Sequence, residues 1–264
     1  MPTLGQSGNR LTGYVAGGYF VVKPGIGRAR ATYDPQLLPE RIASADRNGC
    51  QFIPETWCIE WAAPDDEDTI RAYAAEFGLN GWSEIERLSE WATARFDQAF
   101  GWPNVCFSLE TCQWLVREFL PNNDEVMIFG IAIPQNAWFD SLQAAEPPQA
   151  STDYAPIARG GIATMLARGE RPEPDGTTLG FEPILIEGGI QHSWLDQGFE
   201  LSVFQKLGIR PNTYGLVDTY EEVQACIDLI RQLDNPTRAT ESFVPSPFQK
   251  SGSWHTTLLI QYEP

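Results

Sequence analysis

The longest apolar run in the chain is VMIFGIAI, residues 126–133, and it contains no polar residue. A strand with one face in water alternates apolar and polar residues, whereas this run is apolar at every position. It therefore predicts a central strand of a sheet that other elements cover on both sides. The run is also far shorter than the roughly 20 residues that a membrane-spanning helix needs.

Segments with helical or strand-like periodicity on either side of this run supply the covering layers. The predicted helices are 64–78, 82–101, 108–121, 160–170, 195–208 and 219–233, and the predicted strands are 18–23, 58–62, 126–133, 177–189 and 254–263. Because helices and strands are interspersed, the predicted fold class is α+β, with helices packed on a mixed sheet.

A segment rich in proline and polar residues, EPPQASTDYAP at 146–156, predicts a linker or a surface loop. It allows a division of the chain into two lobes. The N-terminal lobe, 1–145, would have a β-rich start followed by helices and the central strand. The C-terminal lobe, 157–264, would be of α/β type.

Charge is the strongest bulk property of the chain, whose formal net charge is −17. Residues 61–200 hold 23 acidic and seven basic side chains, so this part alone carries −16. Such a field repels nucleic-acid phosphates and anionic membranes, and it attracts a basic protein. The sequence therefore favours a basic protein partner over nucleic acid or membrane. The simpler interpretation is that the charge only keeps the protein soluble.

Motifs for cofactors and metals are missing from the sequence. The sequence contains no phosphate-binding loop and no complete dinucleotide fingerprint. It also contains no G-x-S-x-G elbow and no H-E-x-x-H motif. The five cysteines have no spacing typical of zinc or of a redox pair, and the acids at 65–68 are explained by a helix N-terminus. We expect no cofactor and no metal. The first residues lack the apolar stretch of a signal peptide, so the expected location is the cytoplasm.

Two stretches of the C-terminal half, LGFEPILIEGGIQHSWL at 179–195 and GIRPNTYGLVDTYEEV at 208–223, are similar to stretches of bacterial proteins of unknown function. This resemblance covers roughly 70 residues. It implies a bacterial cytosolic origin, and it implies no particular chemistry.

Of the two histidines in the sequence, His192 is the candidate catalytic residue. GGIQHSWLDQGF predicts a strand, a Gly-Gly turn and a helix capped by Ser193 with Asp196, so that His192 lies beside a helix N-terminus. The positive potential there favours a neutral imidazole, which could act as a base. The alternative is that His192 packs beside Trp194 as part of the structure. His255 is predicted on the more polar face of its strand, at the rim.

Trp114 is the candidate anchor for a protein partner. In the predicted helix 108–121 it projects nearly opposite the apolar face, among charged residues, so we expect its indole to be partly exposed. The acids expected to surround the partner site are Glu110, Glu118, Asp124 and Glu125. The alternative is that another segment, such as 146–156, covers the ring.

The function that these features favour is that of an acidic cytoplasmic binding protein. Its most concrete version is an immunity or antitoxin-like protein that neutralises a basic partner. A first alternative is an enzyme for a small substrate, with its site around His192 in a cleft between the lobes. A second alternative is a structural or assembly subunit.

Overall fold

A computed structural model describes residues 11–23, 67–101, 105–122, 124–145, 160–187, 190–195, 198–233 and 253–264. Within these ranges the chain forms seven helices and seven strands. The helices are α1 (Glu67–Glu76), α2 (Trp82–Arg95), α3 (Leu109–Phe119), α4 (Trp138–Ala145), α5 (Gly161–Arg168), α6 (Glu200–Leu207) and α7 (Tyr220–Leu233). The strands are β1 (Tyr14–Val22), β2 (Phe100–Gly101), β3 (Val105–Cys106), β4 (Met127–Pro134), β5 (Thr177–Glu187), β6 (Ile190–Ser193) and β7 (Ser253–Tyr262). The predicted α+β fold is confirmed.

The seven strands form one sheet in the order β2-β3-β1-β4-β7-β5-β6. β4 lies in the centre, and every residue of it except Met127 is buried, as the apolar run predicts. All pairings between these strands are antiparallel, whereas the prediction was a mixed sheet, which would also contain parallel pairs. The sheet takes strands from both sides of the predicted linker 146–156, which itself lies outside the described residues. The predicted strand 58–62 lies outside them too.

Helices cover both faces of this sheet, and two neighbouring residues of β7 show which helices lie on which face. His255 contacts Ser141 of α4, whereas Gln224 of α7 donates a hydrogen bond to Thr256. Successive residues of a strand point to opposite faces. α4 and α7 therefore lie on opposite sides of the sheet, and the central strands are buried between two helical layers.

Glycines allow two bulges in the long strands. The register of β1 against β4 shifts between Ala16 and Gly18, where Gly18 has a φ of 127°. The register of β5 against β7 shifts between Thr178 and Gly180, where φ is 149°. Residues with a Cβ rarely adopt such angles, so glycine is required at both positions.

Pro183 determines where the edge strand β6 ends. The backbone N–H of Trp194 donates to the Pro183 carbonyl at 3.1 Å, but proline has no N–H to return a second bond. The β5–β6 ladder therefore runs only from Ile184↔Ser193 to Glu187↔Ile190. Pro183 itself pairs with Thr256 of β7, and the bulge in β5 is at Gly180.

Candidate functional site

The indole of Trp114 lies in a stack of aromatic rings between α2 and α3. Its ring centroid is 5.0 Å from that of Trp91, with 27° between the planes, and Phe119 meets it edge-on at 5.8 Å. Trp91 in turn stacks on the buried Phe100 at 5.6 Å. Trp114 remains half-buried, which confirms that its indole is partly exposed. The ring that covers its inner side belongs to α2.

Two of the predicted acids share a helical stripe with Trp114. Glu110, Trp114 and Glu118 are spaced four residues apart on α3, so each lies about one turn from the next. Both glutamates are exposed. Glu118 pairs with the Arg87 guanidinium at 3.2 Å, and that guanidinium lies 4.8 Å over the Phe119 ring. We call Glu110, Trp114 and Glu118 the α3 acidic surface.

The other two predicted acids lie in the turn before β4. Asp124 and Glu125 are both exposed, and the Glu125 carboxylate is 2.9 Å from the Lys23 ammonium at the end of β1. An exposed pair of this kind contributes about 0–1 kcal/mol of stability, so it restrains the carboxylate only weakly. These two residues extend the acidic area but are not part of the stripe on α3.

The predicted setting of His192 is wrong. His192 lies in the edge strand β6, opposite Leu185 of β5, and α6 begins only at Glu200. β6 pairs antiparallel with β5 from Glu187↔Ile190 to Ile184↔Ser193. The chain after Gly189 therefore forms a strand that pairs with β5, where a helix was predicted. The imidazole is half-buried, and His192 lies within the strand, eight residues before the start of α6.

Ser193, the expected helix cap, is instead buried in the sheet. Its hydroxyl donates to the carboxylate of Glu182, which is itself fully buried in β5, and accepts from the N–H of Leu195 at 3.1 Å. The Thr257 hydroxyl donates to the Glu182 carbonyl at 3.0 Å. A polar layer therefore lies on the face of the sheet that α4 covers.

His255 belongs to the same layer, and its predicted place at the rim is wrong. Only 6% of the residue is exposed, because α4 covers the face that alternation marks as the more polar one. Its Nδ1 is 2.9 Å from the Ser141 hydroxyl oxygen, and its Nε2 is 2.5 Å from that of Ser253. The sequence signal for the second contact is the spacing of Ser253 and His255, two apart on one face of a strand.

Burial determines the protonation of this histidine. It lowers the pKa of His255 from 6.5 to about 4; the positive charge of Arg231 acts in the same direction and the carboxylate of Asp140 opposes it. The imidazole is therefore neutral at pH 7. Burial likewise raises the pKa of the Cys226 thiol to about 12, and it raises that of Cys112 well above its usual value. Both thiols are protonated and fill space as small apolar side chains.

Within the described ranges, no group of three or more His, Cys, Asp or Glu residues is arranged to hold a metal ion. In the same part of the chain, no helix combines the length and the apolar character needed to cross a membrane. Comparisons of the chain with protein-family models, with curated proteins and with solved structures gave no match.

Proposed function

We propose that this chain is an acidic binding protein that holds a basic protein partner on the α3 acidic surface. The observation that carries the proposal is a half-buried tryptophan with an exposed glutamate one turn away on each side. Its most concrete version is an immunity or antitoxin-like protein in the cytoplasm. The partner would be a protein with exposed arginines, held against the free side of the Trp114 ring.

The aromatic stack supports the choice of Trp114 as the anchor. Because Trp91 and Phe119 already hold the indole on its inner side, a partner would not have to order it. Arginine guanidinium groups bind favourably over such rings, with about 0.5–2 kcal/mol per contact. Arg87 over Phe119 already provides one such contact within the same cluster.

Charge supports the choice of a basic partner. Of the two acids beside the ring, Glu118 already forms an ion pair with Arg87, whereas Glu110 offers a second exposed carboxylate. The net charge of −16 over residues 61–200 adds a long-range attraction to these local contacts. Electrostatics of this kind mainly raises the rate of association.

The first prediction concerns salt. A nine-residue arginine peptide should bind the protein, and its affinity should fall steadily as ionic strength rises beyond 0.15 M, where the Debye length is about 8 Å. Fluorescence anisotropy of a labelled peptide measures this at several salt concentrations. An uncharged glycine-serine peptide of equal length is the control. A flat salt profile for the arginine peptide contradicts a charge-driven interface.

The second prediction concerns the anchor. Trp114→Ala should lower the affinity for the arginine peptide by about 30-fold, which corresponds to the 2 kcal/mol expected of a hot-spot residue. Glu110→Gln should lower the affinity less, because it removes only one charge. Glu221→Gln removes an equally exposed acid from α7 and serves as the control for net charge. Equal affinities of Trp114→Ala and the wild type would exclude Trp114 as the anchor.

A further inference from the structure

A chain of hydrogen bonds joins α4 to the first residue of β7. It runs from Ser141 through the imidazole of His255 to Ser253, with distances of 2.9 Å and 2.5 Å between the bonded atoms. Ser141 is fully buried, whereas Ser253 is only half-buried. The chain of bonds therefore leads from the core to a serine that is only half-buried.

The partners of Ser141 determine where the protons lie. Its hydroxyl donates to the carbonyl of Ala137 at 2.9 Å, one turn earlier. A hydroxyl has one proton, and a carbonyl cannot donate, so the bond to His255 forms only if Nδ1–H donates to Ser141. In a neutral imidazole the other nitrogen, Nε2, is then an acceptor. The Ser253 hydroxyl therefore donates its proton to Nε2.

We propose that Ser253 is a nucleophile that His255 activates and Ser141 orients, and that the site reacts with small esters. A serine, a histidine base and a third group that fixes the base are the elements of nucleophilic hydroxyl catalysis. Ser141 supplies the third group here as a positioning residue. This site shares no residue with the α3 acidic surface, so it is independent of the proposed partner binding.

The reaction transfers the acyl group first to Ser253 and then to water. The Ser253 Oγ attacks the ester carbonyl carbon while its proton moves to Nε2, and the departing alkoxide then takes that proton as its bond to carbon breaks. Water next attacks the acyl-serine, gives one proton to Nε2, and Ser253 recovers it as the acid leaves. His255 is a neutral acceptor at the start of each step.

Arg231 of α7, on the side of the sheet opposite to Ser253 and His255, holds the backbone between these two residues. Its guanidinium donates to the carbonyl of Trp254 at 2.8 Å, and Trp254 is the residue between Ser253 and His255.

The test is covalent labelling of the full chain with a fluorophosphonate, an electrophile that forms a bond with activated serines and releases fluoride. Tandem mass spectrometry should find the adduct on Ser253, and Ser253→Ala should abolish it. His255→Asn, which keeps a donor toward Ser141 but provides no base, should lower the labelling rate by about 100-fold. Ser141→Ala should lower it less, and Ser83→Ala, which removes an exposed serine of α2, should leave it unchanged.

A second measurement does not depend on any variant. The ¹⁵N chemical shifts of the wild-type imidazole distinguish the two neutral tautomers, and we expect the proton of His255 on Nδ1. A proton on Nε2 would overturn the proposal, because Ser253 could then not donate. Absence of an adduct at Ser253, or equal labelling of folded His255→Asn and wild type, would overturn it as well.

Discussion

Acidification from pH 7 to pH 4 should lower the free energy of unfolding of the wild type by about 3 kcal/mol more than that of the His255→Asn variant. The folded state holds the pKa of His255 at about 4, below its ordinary value of 6.5, chiefly through burial. Between these two values the unfolded chain binds a proton that the folded chain does not. Stability is therefore lost as the pH falls through this window, and the loss levels off once the pH is well below the folded-state pKa of about 4.

Urea unfolding followed by tryptophan fluorescence at several pH values measures this difference. The carboxylates titrate in the same range, but the wild type and the variant have the same 35 acids, so their contribution cancels in the comparison. His192→Gln is the matched control, because the chain has only two histidines and this variant keeps His255. Parallel pH profiles for the wild type and His255→Asn would show that burial does not hold the imidazole neutral.

Replacing Gly18 by alanine should destabilise the protein by about 4 kcal/mol, while the same change at Gly208 should destabilise it by about 1 kcal/mol. Both residues have positive φ angles, 127° for Gly18 and 72° for Gly208. A Cβ on Gly18 would lie 2.1 Å from the Cγ1 of Val105, whereas one on Gly208 would meet nothing within 4 Å. Gly18→Ala therefore combines backbone strain with overlap in the core.

Thermal and urea unfolding of the two variants separate these contributions. Gly208→Ala reports the strain of a Cβ in the left-handed helical region, and the additional loss in Gly18→Ala reports the greater strain at 127° together with the overlap with Val105. If both variants lose the same stability, β1 moves away from β3 readily and the bulge is not tightly packed. A second variant, Gly18→Ala with Val105→Ala, should recover part of the loss, since it removes the Cγ1 atom.

The elements whose pattern is local could be predicted from the sequence. The apolar run that became β4 and the stripe of α3 opposite Trp114 both follow from side-chain periodicity, which neighbouring residues determine. His192 and His255 could not be placed, for different reasons. Ser193 suits a helix cap and a strand equally well, and Gly188 with Gly189 suits a turn before either element. The face of β7 that carries His255 is polar by composition, but only the tertiary fold shows that α4 covers it.

The contact between Ser141 and His255 could not be predicted, because the two residues are far apart in the chain. Ser141 and His255 are 114 positions apart and meet only across the packed sheet. Charged residues, by contrast, can be counted along the sequence. The stripe of Glu110, Trp114 and Glu118 was therefore predictable, while the stacking of Trp91 on Trp114 depends on how α2 packs against α3.

The position of β7 between β4 and β5 has a consequence for how the molecule is made. β7 follows every other described element in the chain, yet it pairs with both of these strands. Until it is synthesised, β4 and β5 each expose an edge of unpaired backbone groups, and such edges recruit other chains. Pairing between residues so far apart in sequence also slows folding. A nascent chain that stops before Ser253 should therefore need protection from aggregation that the complete sheet does not need.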